Sequence, residues 1–390
     1  MLARSGGDRI MMRLYPLLVT VQQLIQRLGC ARLRFMNRLC VLATLATILF
    51  TPPAFAFHPN IEAVNPADVI SITDATEAEA VRSDLRAQIF GSESLNTSLI
   101  PIVESDYMDA VWATKQNLAG MKVLRIPMSL GVNSKAWRFT PITYRNANGG
   151  KCGFIVVAGH GQVSVFPPYM ALIEKLLYAG CEVTAIDMPF SGQNPAATVD
   201  TGRGRVLIQH HGNIQAAQTK DFHPLRWFVE APLAIVNDYT SRGITNIGIT
   251  GLSGGGWTAD VYAALDERVT VSYSIAGSMP MYMRSWIVPN PPASLGDWEQ
   301  MAIRPLGVGY LDLYVLGSIG LGRRHVNIYI VNDDCCFGGY NANHFAPAVS
   351  AAVESIELGS YGVVFDTTVS THTISPWAAS WIVTDMANYL

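Results

Sequence analysis

Gly251-Leu252-Ser253-Gly254-Gly255 fits the pattern G-x-S-x-G and sits between an apolar run, Ile247 to Thr250, and a helical segment reaching about Leu265. A strand-to-helix turn this tight requires small residues on either side of the serine, and it thrusts the hydroxyl outward above a helix N-terminus. A serine hydroxyl is a poor nucleophile until a histidine removes its proton, and the histidine needs a carboxylate to orient it. His372 is the best-placed base, between a strand-like run and the final helical segment. The apolar run Val326 to Val331 ends in Asn332-Asp333-Asp334, so one of two aspartates is expected to orient the base, Asp333 standing first and Asp334 second. The preceding run ends in Ala276-Gly277-Ser278-Met279 and offers no carboxylate.

The tetrahedral intermediate of acyl transfer needs N–H donors aimed at its oxyanion. Gly254, directly after the serine, is one. The other is expected from the loop His160-Gly161-Gln162, with Gln162 as donor and Gly161 beside it. His160 comes at the wrong place in the order for the base and reads as structural. His344 is too close in sequence to the candidate acids, and His58, His210, His211, His223 and His325 read as surface or loop residues. Trp257, Phe190 and Trp286, with Met279, Met281 and Met283, are candidates for an apolar substrate pocket, although such spacing also suits core or lid packing.

The elements that must hold these residues are short apolar runs alternating with helical segments. Phe154 to Ala158, Val183 to Ile186, Ile247 to Thr250, Val269 to Ile275, Val326 to Val331 and Tyr361 to Phe365 read as strands. Helical period appears over Asp74 to Ala87, Tyr169 to Ala179, Leu225 to Tyr239 and Pro376 to Tyr389, and Met121 to Thr143 reads as a hairpin. This pattern predicts an α/β fold with a mostly parallel sheet covered by helices on both faces, and ligands at the carboxyl ends of its strands. The stretch 279–324 is longer than one crossover helix needs and is expected to form a cap or lid.

From Lys151 onward the chain resembles the α/β-hydrolase superfamily. The resemblance rests on His160-Gly161, the Asp187-Met188-Pro189 turn with Gly192, the elbow at Ser253, an aspartate after the penultimate strand and His372. The chain order Ser, Asp, His also matches. It implies a serine hydrolase working through an acyl-enzyme, with no cofactor and no metal. The Asp333-Asp334-Cys335-Cys336-Phe337-Gly338-Gly339 stretch departs from the usual pattern. In such a sheet Cys152 and Cys181 would lie on neighbouring strands, which favours a cross-strand disulfide. Cys335 and Cys336 form either a vicinal disulfide or two free thiols.

The 390 residues are 49% hydrophobic and 15% charged, enough to bury a large core and too apolar for an intrinsically disordered chain. The net charge of −3 averages two unlike pieces. Residues 1–56 hold seven of the 27 basic residues and one of the 30 acidic ones, which leaves the remainder at −9. An acidic body argues against a nucleic-acid partner. Arg38, the apolar run Leu39 to Phe50 and Ala54-Phe55-Ala56 read as a secretory signal peptide cut near Ala56. Residues 1–35 precede an ordinary signal-peptide start at Met36 and read as a mis-assigned start. Residues 57–120 are expected as an N-terminal extension and 121–390 as the hydrolase domain.

These features predict an exported, periplasmic or secreted hydrolase of small or polymeric carboxylic esters, with no membrane span in the mature chain. A secreted peptidase or amidase and a non-catalytic binding protein are the alternatives.

Overall fold

Consecutive residues of β5 (Gly150–Val157) enter two different apolar layers: Ile155 and Val157 pack to one side, Phe154 and Val156 to the other. A strand buried on both faces must lie inside a covered sheet. The computed structural model describes residues 57–390 apart from 109, 148–149, 166, 287–295 and 357. The signal peptide and early start expected over 1–56 lie outside the described residues.

Five strands pair in parallel with β5 or with its neighbours: β6 (Glu182–Ile186), β9 (Ile244–Leu252), β10 (Val269–Ile275), β11 (Arg324–Ile330) and β12 (Ser360–Asp366). One edge continues antiparallel through β3 (Asn133–Pro141), β2 (Leu118–Pro127) and β1 (Ile102–Tyr107), with β4 (Asn146–Ala147) beside β5. The order across the sheet is β1-β2-β3-β6-β5-β9-β10-β11-β12. The chain moves from β5 outward to β6, then returns to place β9 on the other side of β5. Loops leaving β5 and β9 therefore part at the reversal, where parallel sheets open a crevice for ligands. A separate hairpin, β7 (Ala197–Asp200) and β8 (Arg205–Ile208), lies in the β6–β9 connection.

Helices α1 (Ala75–Phe90), α3 (Arg226–Ser241), α4 (Gly254–Leu265), α7 (Tyr310–Ser318) and α8 (Ala346–Ile356) contribute to one apolar layer. The opposite layer is built by α2 (Tyr169–Tyr178) and α9 (Pro376–Met386). Among the described residues no helix is long and apolar enough to cross a membrane. Residues 57–120 are woven into the same unit, because β1 joins the sheet and α1 packs on α4. Asp74 caps α1 by accepting the Glu77 amide at 2.9 Å. The segment 279–324 divides in two. Its second half is α7, a buried crossover helix against α4, so only the first half, with the short helices α5 (Met281–Arg284) and α6 (Trp298–Met301), caps the strand ends.

Two covalent and polar ties fix the sheet. Cys152 on β5 and Cys181 just before β6 are disulfide-bonded across adjacent parallel strands, with Cα atoms 4.5 Å apart. Beneath the helices lies a polar cluster around Asp260 of α4. The carboxylate accepts from Ser274 (3.0 Å), Ser278 (2.5 Å) and Asn327 (3.1 Å), and His325 Nε2 stands 3.1 Å away. His325, read from sequence as a surface or loop residue, is instead fully buried on β11, where the Ser272 hydroxyl engages its other ring nitrogen at 2.7 Å. Removing one member of a buried charged cluster leaves its partners unpaired. Asp260→Ala should therefore lower the unfolding free energy by about 3 kcal/mol. A urea midpoint unchanged from wild type would show the cluster to be dispensable.

Candidate active site

Ser253 joins β9 to α4 with φ 57° and ψ −127°, a conformation rarely tolerated by a residue with a side chain. It is held by two backbone bonds, Ser253 N–H to Ile275 O and Trp257 N–H to Ser253 O, both 2.9 Å. Glycines around it are required by contact. A Cβ on Gly255 would lie 2.2 Å from Val157 O, and one on Gly251 would lie 2.4 Å from the Gly255 backbone. The turn is thus pressed onto the end of β5, and Ser253 is left partly exposed at the sheet's carboxyl edge.

His372 lies in the loop between β12 and α9. Asp366 pins both ends of that loop: its backbone carbonyl receives Val331 N–H at 2.9 Å, and its carboxylate receives the Thr368 amide (2.8 Å) and the Ser375 hydroxyl. His372 Nδ1 donates to Asp333 at 2.8 Å to Oδ2 and 3.1 Å to Oδ1. Asp333 is buried, and its Oδ1 also accepts the Cys335 and Cys336 amides at 2.8 and 3.2 Å. Asp334 is exposed and accepts only the His372 backbone amide, at 2.9 Å. The sulfurs of Cys335 and Cys336 are bonded to each other. With Nδ1 used by Asp333, His372 Nε2 is buried and without a hydrogen-bond partner among the described residues.

A cavity of about 370 Å³ opens over the serine, lined by Ser253, His160, Asp297, Gln300, Cys336 and Phe337, with Gly296 at its edge. Cys336 connects the two halves of the site, since its sulfur lies within 4.8 Å of a His372 ring nitrogen. Gly159 presses close to Ser253: a Cβ there would stand 3.0 Å from Ser253 Cβ. Burial pushes the Tyr169 hydroxyl's pKa up, so it stays protonated, donating to Gln162 Oε1 and accepting Gly159 N–H at 2.7 Å. A larger cavity of about 620 Å³, on another part of the cap near Met281 and Leu311, does not include Ser253.

No known sequence family matches the chain, and no curated protein matches it. Solved structures do. An acetyl xylan esterase from Paenibacillus sp. R4 superposes with a TM-score of 0.53 at 15% identity, over 84% of this chain and 99% of that one. Acetyl xylan esterase 1 from Thermoanaerobacterium sp. JW/SL YS485 gives 0.53 at 15%, over 83% and 97%. The methylesterase BT1017 gives 0.56 at 15%, over 81% of this chain and 65% of its own. The chain has the α/β-hydrolase fold.

Within this α/β-hydrolase fold, Ser253, Asp333 and His372 follow β9, β11 and β12, the strand ends at which the sequence located them. The structure also shows the surroundings of the expected oxyanion loop and of the three expected aromatic residues. Gly161 N–H donates to Ser191 Oγ at 2.8 Å and Gln162 N–H to Gly159 O at 3.2 Å, so the two amides expected from this loop are hydrogen-bonded within the protein. Trp257, Phe190 and Trp286 are not among the described residues lining the cavity. Trp257 is fully buried with its indole N–H on Tyr310, Phe190 packs edge-on against Trp227, and Trp286 stacks outside on His58. Their aromatic bulk serves the core and the cap surface.

Sequence reasoning missed the polar cap. His211, read as a surface or loop residue, is buried, and Glu299 of α6 is fully so. His160 Nε2 stands 2.7 Å from His211 Nδ1, 2.8 Å from Glu299 Oε1 and 3.2 Å from Asp297 Oδ2. Burial alone would raise the Glu299 pKa, but the two imidazoles outweigh it and hold the carboxyl down at about 2. No spacing signal joins residues 160, 211 and 299. The usable hint was a His-rich segment inside the long β6–β9 connection. Because Gly255 has no room for a methyl group, Gly255→Ala should destabilise the fold by about 3 kcal/mol. It should also abolish fluorophosphonate labelling of Ser253. Wild-type labelling in a stably folded variant would show that the close packing of the elbow is unnecessary.

Proposed function

We propose that the protein is an exported serine hydrolase that cleaves carboxylic esters of short acyl groups through an acyl-enzyme. The observation that carries this reading is His372, whose Nδ1 is held by buried Asp333 while Nε2 is left free beside the loop lining the Ser253 cavity. In the proposed reaction His372 Nε2 takes the Ser253 proton as Oγ bonds to the acyl carbon, then gives it to the departing alcohol oxygen. Water repeats the sequence on the acyl-enzyme and releases the acid. Asp333 keeps the imidazole in the productive tautomer and stabilises its charged form. The Gly254 amide, first in α4 and without an intrahelical acceptor, is the proposed oxyanion donor. Gln162 joins it by exchanging its turn bond to Gly159 O for the substrate oxygen.

Short acyl groups are favoured by the cavity itself. Its volume of about 370 Å³ is at the small end of ligand pockets, and His160, Asp297 and Gln300 make its wall polar. The solved neighbours named acetyl xylan esterase and methylesterase support ester over amide cleavage. Export is proposed from the signal-peptide pattern ending at Ala56 and is supported by the Cys152–Cys181 disulfide.

Ser253→Ala and His372→Ala should each reduce kcat by about 10⁴-fold or more with the fold intact. Asp333→Asn should come close to that loss and Asp334→Asn should fall far short of it. Equal losses in the two Asp→Asn variants would remove Asp333 from its assigned role. On p-nitrophenyl esters, kcat/KM should fall from acetate to octanoate, and a matched anilide should turn over far more slowly. A preference for octanoate or for the anilide would refute the short-ester assignment. N-terminal sequencing of the exported protein should begin at Phe57, whereas a start at Met1 would rule out cleavage.

A further inference from the structure

Three segments far apart in the chain converge beside the proposed nucleophile: the loop after β5 with His160, the turn after β8 with His211, and cap helix α6 with Glu299. Their ligand atoms, His160 Nε2, His211 Nδ1 and a Glu299 carboxylate oxygen, lie within 4.8 Å of one another. Asp297 Oδ2 adds a fourth at the exposed rim, 3.2 Å from His160 Nε2. Protons alone do not satisfy this group. His211 Nε2 stands 2.7 Å from the carbonyl of Pro189, which can only accept, so Nε2 carries a hydrogen and Nδ1 is the nitrogen turned into the cluster. A proton on His160 Nε2 can serve one of the three acceptors around it. The Glu299 side chain has no exposure, and neither carboxylate oxygen accepts a hydrogen bond, although imidazole nitrogens approach to 2.8 and 3.3 Å.

We propose that His160, His211 and Glu299, with Asp297 at the open side, form a binding site for a divalent transition-metal ion of the zinc class. Two imidazole nitrogens and a carboxylate are a donor set such ions accept, with a further position left for solvent or Asp297. The donor separations of 2.7 to 3.3 Å approach the edge of about 3.3 Å in a tetrahedron with zinc-to-ligand bonds near 2.0 Å, so the side chains need to open by only a few tenths of an ångström. The Pro189 carbonyl does what a second partner does at metal-bound histidines, fixing the tautomer and the ring direction. The ion would join α6 of the cap to the loop that flanks Ser253. Because His160 and Asp297 also line the Ser253 cavity, the open coordination position faces the same space as the hydroxyl.

Zinc binding is measured on the full-chain protein, stripped with chelator and titrated with zinc chloride in metal-free buffer. Calorimetry should give one equivalent per chain, and saturating zinc should raise Tm. Glu299→Gln and His211→Asn should each weaken binding by at least about 100-fold and remove the Tm shift. Near-UV circular dichroism identifies variants that keep the native packing, and Glu299→Gln is close to isosteric. Stripped wild type that binds no zinc and gains no Tm would overturn the proposal, as would variants that bind as tightly as wild type. These readouts do not depend on ester hydrolysis, so failure of the hydrolase reading and failure of the metal site are separable.

Discussion

The contact between the Gly255 backbone and the carbonyl at the end of β5 sets the geometry of everything above the sheet. With Val157 O only 2.2 Å from where a side chain would begin, β5 and the turn after β9 approach as closely as backbones can. That closeness forces Ser253 into its positive φ and turns its side chain up toward the strand ends. It also brings Gly159 against Ser253, so the loop carrying His160 is positioned by the same contact. Strain of this kind persists only where the surroundings over-determine it. Here the surroundings are the Ile275 carbonyl on one side and the first turn of α4 on the other.

The legible part of the site was the part tied to strand ends. Ser253, Asp333 and His372 each follow a largely apolar run whose boundaries survive in a single sequence, even with Asn327 inside one of them and β12 only partly buried. The choice between Asp333 and Asp334 needed coordinates. Adjacent residues leave a strand in different directions, and only Asp333 turns inward to collect two backbone amides and the imidazole. Aromatic residues were misread for the opposite reason. Trp257 and Phe190 sit next to chemistry in sequence, but a tryptophan four residues into α4 points back under the sheet's edge and its bulk is consumed by the core.

Long connections hid the remainder. The β7–β8 hairpin and the turn after it carry His211 into the molecule, and nothing in their composition marks one of two adjacent histidines as buried. His210 is exposed while His211 reaches Pro189 O, a difference made by backbone direction alone. The cap was foreseen as one insertion because its length exceeded a crossover, yet the crossover helix α7 was inside it. α7 is buried and apolar, whereas the cap proper is short and polar where it meets Ser253.

A short polar cap has to solve a problem that an apolar lid does not. Burying the Glu299 carboxylate costs several kcal/mol unless positive charge meets it, and Arg284, a buried cation of the cap, reaches Met279 O and Gln300. From the body of the protein the imidazoles of His160 and His211 approach Glu299 to 2.8 and 3.3 Å. His160 therefore meets Glu299 of the cap and lines the cavity over Ser253 with the same side chain. These contacts tie α6 of the cap to the loop beside Ser253. The small, polar form of the cavity over Ser253 depends on α6 being seated there, since Asp297 and Gln300 complete its polar wall with His160.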